Sequence, residues 1–148
     1  MEIKVQCIGM QSLLNKIKEG REKLSDLTPF WESVGMYMIK QTIQNFEYER
    51  SPDGVKWKPL SPSTIKRRMK RSKKGRFKIL QDTGELRRSI AYKAFKNKVI
   101  FGSNLVYAAT HQFGRGKIPA RSFLGVTDEN KQKALSMLKI YLKNSFSN

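Results

Sequence analysis

Leu80-Gln81-Asp82-Thr83-Gly84-Glu85-Leu86-Arg87-Arg88-Ser89-Ile90 opens the stretch that decides the fold. It continues through two short apolar runs to Tyr107-Ala108-Ala109-Thr110-His111-Gln112-Phe113-Gly114 and Ile118-Pro119-Ala120-Arg121-Ser122-Phe123-Leu124-Gly125. Glycine stands at each change of direction, where positive φ or close backbone approach leaves no room for a Cβ. Ile90, Tyr92 and Ala94 alternate with Ala91, Lys93 and Phe95, and Val99-Ile100-Phe101 answers them across Lys96-Asn97-Lys98. Two β-rich runs about a short polar turn predict an antiparallel hairpin, ended by Gly102-Ser103-Asn104. Asp82-Thr83-Gly84 predicts a turn, with Asp82 or Thr83 capping a brief helix over 85–88. Residues 107–113 read as a short helix that Gly114 terminates, followed by an exposed 115–117 and an extended 119–121.

On either side the pattern turns helical. Thr28 is placed to cap, Pro29 suits the first helical position and Glu32 suits the first turn. Trp31, Val34, Met38, Ile39, Ile43 and Phe46 then mark an apolar stripe, so a long helix is predicted over 29–49. Ser51-Pro52-Asp53-Gly54 is a turn by composition, and Ser63 is a candidate cap for a short helix over 64–69. Near the end, Thr127 caps a helix to about residue 144, with Asp128 and Glu129 in its first turn. Its face is Ala134, Leu135, Leu138, Tyr141 and Leu142, and Phe146 fastens the end. Residues 2–7 alternate as a half-buried strand does, which makes Cys7 a small buried hydrophobe. Leu13, Leu14, Ile17 and Leu24 suit a helix over 10–24, shortened or broken at Gly20. The sum is one α+β domain spanning 1–148: a small antiparallel sheet with a long N-terminal helix and a C-terminal helix packed on it.

Charge is the chain's most unusual property. The 148 residues carry +18, with 30 Lys and Arg against 12 acids. Such a field attracts polyanions: nucleic acid, an anionic membrane or an acidic protein. No run approaches the ~20 apolar residues of a bilayer span, and no signal-peptide segment follows Met1, so a soluble protein made inside the cell is expected. Between Val55 and Gln81 stand eleven cations and no acid. Lys66, Arg67, Arg68, Lys70, Arg71, Lys73, Lys74 and Arg76 are the densest of them, and their mutual repulsion predicts a mobile basic loop inserted at about 66–78. Two readings of this run stay open. It is either a solvated, self-repelling loop or an arm that contacts phosphates without sequence preference, with Trp57 and Phe77 near its ends.

Residues for catalysis are sparse. His111 is the single histidine, and packing or capping is its ordinary reading; a dyad with Cys7 has no local support. A lone cysteine makes neither an internal disulfide nor a cysteine-based zinc cage. The acids are scattered, with Asp53, Asp82 and Asp128 each serving a turn or a cap, and no glycine pattern cradles phosphate. No catalytic residue, metal ligand or cofactor is therefore assigned, and a nuclease is the least favoured class.

Four motifs in order carry a resemblance: Pro52-Asp53-Gly54-x-x-Trp57-x-x-Leu60-Ser61-x-x-Thr64, Leu80-x-x-Thr83-Gly84-x-Leu86-x-x-Ser89, Gly102-Ser103-x-x-x-Tyr107-Ala108-x-x-His111-Gln112-Phe113-Gly114 and Ile118-Pro119-Ala120-Arg121-Ser122-Phe123-Leu124-Gly125. As a set they resemble the phage virion morphogenesis family, the tail-completion or neck proteins of Mu-like tailed phages, over about residues 28–145. The resemblance implies a non-enzymatic structural protein, made in the bacterial host cytoplasm, that finishes the tail or joins it to the head. It also implies a homo-oligomeric ring, other neck, tail and connector proteins as partners, and a place at the head–tail junction or tail end of the virion. The motif residues are then architectural. Gly84, Gly102 and Gly114 are backbone necessities, Trp57 and Tyr107 packing anchors, and Pro119, Ala120, Arg121, Ser122 and Phe123 a docking edge, with Leu86, Ser89, His111 and Phe113 completing the set. The basic insert at 66–78 departs from the family pattern.

Overall fold

A computed structural model describes residues 3–6, 25–71 and 77–146. The helix predicted over 10–24, Cys7 and the cations Lys73, Lys74 and Arg76 lie outside the described residues, as does the Phe146 side chain.

The architecture is α+β. Helix α1 (Thr28–Tyr48) is the longest element. Its buried positions, Phe30, Trp31, Val34, Gly35, Met38, Thr42, Asn45 and Phe46, form a stripe along one side, and each large apolar side chain there contributes about 1.5–3 kcal/mol. Its start differs from expectation by one turn of logic. Thr28 is already inside the helix, and the side chain that receives its N–H is Asp26, at 2.9 Å. No acid occupies the first turn, Glu32 lying beyond it. The helix ends where Glu49 turns left-handed (φ 52°) and returns its N–H to the Asn45 carbonyl.

Strands β1 (Ile3–Gln6), β2 (Ala91–Ala94) and β3 (Val99–Ser103) make one antiparallel sheet in the order β1-β3-β2. Tyr92 stands opposite Phe101 in the hairpin, and Ile3 opposite Ser103 on the other side. Gly102, expected to end the hairpin, sits inside β3 between Lys4 and Ala91. The hairpin turn is closed by Phe95 N–H donating to the Lys98 carbonyl at 2.8 Å. On β3, Val99, Phe101 and Ser103 are buried in alternation, and α1 packs across β2 and β3. Gly35 permits that crossing, because a Cβ there would stand 2.3 Å from the Tyr92 ring.

Helix α5 (Asp128–Phe146) lies against α1. Thr127 and Asn130 cap it reciprocally: Asn130 N–H donates to Thr127 Oγ1 at 3.2 Å, and Thr127 N–H to Asn130 Oδ1 at 3.0 Å. Asn130 also donates its amide to the Tyr37 hydroxyl on α1. Ala134 and Leu138 are buried in the join, and Tyr141 meets the Phe30 ring.

Three short helices complete the described residues: α2 (Pro62–Arg71), α3 (Glu85–Arg88) and α4 (Ala108–Phe113). Helix α2 corrects two expectations. Its start is held by Ser61, whose Oγ accepts from the Thr64 N–H, rather than by Ser63. It also runs on through Arg71, so residues 66–71 of the expected mobile loop are helical.

Candidate functional site

The motif residues converge on a joint between the end of α1, the extended segment 57–60 and the segment 121–124. Phe46, Trp57 and Phe123 pack ring on ring, with Trp57 edge-on to Phe46 at 5.6 Å and Phe123 at 5.3 Å from it. Trp57 Nε1 donates to the Ser122 carbonyl at 2.8 Å.

Arg121 and Phe123, expected on a docking edge, point inward instead. Phe123 is wholly buried, and Arg121 is 7% exposed. The Arg121 guanidinium donates from Nε to the Lys58 carbonyl at 2.7 Å and from Nη2 to that of Pro59 at 2.9 Å. It fastens a segment whose prolines leave its carbonyls without a regular partner. Burial, then the nearby Arg68, pulls the Arg121 pKa down from the ordinary arginine value.

The centre of the joint is Gln112, which did not figure among the candidate residues. Its Oε1 accepts from the N–H groups of Phe123 and Leu124 at 3.0 and 3.1 Å, and its Nε2 donates to the Leu124 carbonyl at 2.8 Å. One side chain thus serves three buried backbone groups. Its neighbours His111 and Phe113 do less. Phe113, one of the motif residues, is 69% exposed. Gly114 does stop α4, with φ 78° and no room for a Cβ beside the Ala120 nitrogen at 2.8 Å.

A cleft of about 910 Å³ opens beside this joint, lined in part by His111, Tyr107, Glu85, Asp82, Lys117 and Arg121. Tyr107 is 40% exposed and stands on its rim rather than in the core, against expectation. Its hydroxyl donates to Glu85 Oε2 at 3.1 Å, and its ring stands edge-on to His111 at 5.9 Å. Burial, and secondarily Arg121, lowers the His111 pKa, so its imidazole is held neutral. Its Nδ1 is buried without a hydrogen-bond partner, and among the described residues no three His, Cys, Asp or Glu side chains gather as a metal cage. Asp82 and Glu85 share the cleft with His111 but are engaged by Arg71 and Tyr107.

A second cleft, of about 850 Å³, lies between α2 and α3. Among the described residues five cations line it, Arg68, Arg71, Lys78, Arg87 and Arg88, against one carboxylate, Asp82. Arg68, named from sequence as a polyanion contact, is a strut here: it is 7% exposed, donates to the Lys78 carbonyl at 2.8 Å and lies 3.4 Å from Asp82 Oδ1. Arg71 pairs with the other Asp82 oxygen, and Arg87 with Glu47 at 2.7 Å. Asp82 is therefore an ion-pair hub, and the N-cap position of α3 falls to Gly84 (φ 73°) rather than to Asp82 or Thr83, with Thr83 Oγ1 accepting from Glu85 N–H in the turn before it. The Arg71 hydrogen bond, working against partial burial, holds the Asp82 carboxyl below its ordinary range. Lys66, Arg67 and Lys70 point to solvent from α2.

A family model described as the phage virion morphogenesis family matches residues 8–143. A Mu-like prophage protein of Haemophilus influenzae, FluMu G protein 2, is 28% identical over 148 residues, covering 95% of this chain and 96% of its own. No solved structure matches the chain.

Proposed function

The chain belongs to the phage virion morphogenesis family, and from that premise we propose that it completes the tail or joins head to tail as an oligomeric ring, without catalysing a reaction. The carrying observation is how the motif residues are used. Trp57, Gln112, Arg121 and Phe123 direct their polar and aromatic groups at the chain's own backbone and core. A building block needs such a joint, whereas an enzyme needs groups that converge on a substrate atom. Among the described residues His111 has no engaged base or acid beside it, and the carboxylates of its cleft are committed elsewhere. The partners in this reading are other neck, tail and connector proteins of the particle, and the place of the protein is the head–tail junction or tail end.

The test is a phage carrying an early stop codon in this gene. Heads and tails should accumulate unjoined, or tails with unfinished ends, and the purified protein should sediment as a multimer. Normal infectious particles from the mutant would refute the reading. Magnesium-dependent cleavage of DNA by the purified protein would refute its non-catalytic part.

A further inference from the structure

We propose that the outer face of α2, continued by Lys78 and Arg88 at the rim of the cleft between α2 and α3, binds the phosphate backbone of duplex DNA without reading its sequence. The inference goes beyond the assembly role and can be tested on the isolated protein.

Three observations carry it. The first is charge density. Residues 66–71 span about 9 Å of helix, and Lys66, Arg67 and Lys70 reach outward from it, while Arg71 pairs with Asp82 and Arg68 turns in. One such cation per roughly 3 Å is of the same order as the one phosphate per ~1.7 Å of axis in duplex DNA. The second is that the fold tolerates this face rather than gaining from it. Like charges three and four residues apart, as in Lys66 with Lys70 and Arg67 with Arg71, each weaken a helix by about 0.2–0.5 kcal/mol. Asp82 is the single acid lining the adjoining cleft, and it is taken by Arg68 and Arg71. The third is that the face is held in place. Ser61 caps the helix, and the buried Arg68 side chain ties it to the Lys78 carbonyl and Asp82. A fixed array loses less side-chain and backbone freedom on binding than a loose arm.

The same residues indicate the partner. Helix α2 carries no Asn, Gln or acid for adenine or cytosine edges; its Lys and Arg, which can also meet guanine, are assigned to phosphates, and the comparison of unrelated duplexes tests that assignment. Its exposed residues include no aromatic ring on which an unpaired base would stack, so the duplex is favoured over a single strand.

The experiment is fluorescence anisotropy of the full chain with short labelled duplexes of unrelated sequence, across a salt series. Affinities for the different duplexes should agree within a fewfold, and the logarithm of the binding constant should fall with the logarithm of salt with slope about −4 to −5. Replacing Lys66→Gln and Lys70→Gln together should flatten that slope by about 2 and weaken binding at least about tenfold at low salt. Lys133→Gln with Lys139→Gln removes the same charge from the exposed side of α5 and should change affinity less than about twofold. Equal weakening by the two pairs would overturn the proposal in favour of attraction by net charge alone. Binding of a single strand or of polyglutamate as tight as the duplex would overturn it as well. Circular dichroism should show that both variants keep their helices, so that a loss of binding is read as loss of contact.

Discussion

Truncating Gln112 strands three backbone groups at once: the N–H of Phe123, the N–H of Leu124 and the Leu124 carbonyl. Each buried group left without a partner costs about 1–3 kcal/mol, so Gln112→Ala should lose about 3 kcal/mol in urea unfolding, with the fold retained. Gly35→Ala tests the opposite fault. The added methyl meets the Tyr92 ring, and overpacking of about 1–3 kcal/mol outweighs the ~1 kcal/mol that alanine gains in a helix. Net destabilisation of up to about 2 kcal/mol is expected. His111 supplies a pH dependence. Its folded pKa is depressed by burial, so the unfolded chain takes up its proton first as pH drops below about 6.5. Stability is therefore full above that pH and falls as pH descends through the folded value. The urea midpoint should drop on going from about pH 7.5 to about pH 5.5, and His111→Gln should remove that part of the drop. Neither Gln112 nor Gly35 announces itself in the sequence, because both act on residues distant along the chain or through backbone geometry. His111 and Phe113 drew attention through their chemistry and flank the residue that matters more.

Hydroxyls join α3 to the sheet. Ser89 donates its single hydroxyl proton to the Leu86 carbonyl at 2.7 Å, so the 2.7 Å contact with Ser103 must be donated by Ser103, which in turn accepts from Leu105 N–H. The chain of bonds runs one way, and removing either hydroxyl breaks it. Ser89→Ala and Ser103→Ala should each cost about 1 kcal/mol, and a double-mutant cycle should show a coupling of about 0.5 kcal/mol or more. Additive losses would mean that the hydroxyls act independently. Helices α1 and α5 were readable in advance, since each repeats its apolar stripe over several turns. Their caps were read within a residue or two, with Thr127 right and Thr28 displaced by Asp26. Helix α2 was half read, because its charge argued for a loop while the deciding contacts come from Asp82 and the Lys78 carbonyl, beyond its end. Asp82→Asn should therefore loosen α2. In the native protein the depressed Asp82 pKa gives stability that is present above about pH 4 and is lost as pH falls through the folded value. The variant should lack this acid-sensitive increment.

The whole chain bears +18, and that charge sets two processes against each other. Copies brought side by side in a ring repel, while DNA attracts each of them. Salt acts on both, with a Debye length of ~10 Å at about 0.1 M. Added salt screens the repulsion between copies and so strengthens self-association, while it weakens DNA binding by reducing the gain from counterion release. Sedimentation velocity across a salt series, run beside the anisotropy titration, should give two curves of opposite sign. At low salt, adding duplex DNA should promote the multimer, because phosphates would neutralise part of the charge by which copies repel. If self-association instead falls with salt, the contacts between copies are ion pairs of opposite charge, and self-repulsion does not govern assembly. A multimer indifferent to salt would place its contacts on apolar surface. Its exposed candidates, Val106 just before α4 and Phe113 at its last position, are 76% and 69% exposed and can be replaced by Ser without disturbing the buried joint behind them.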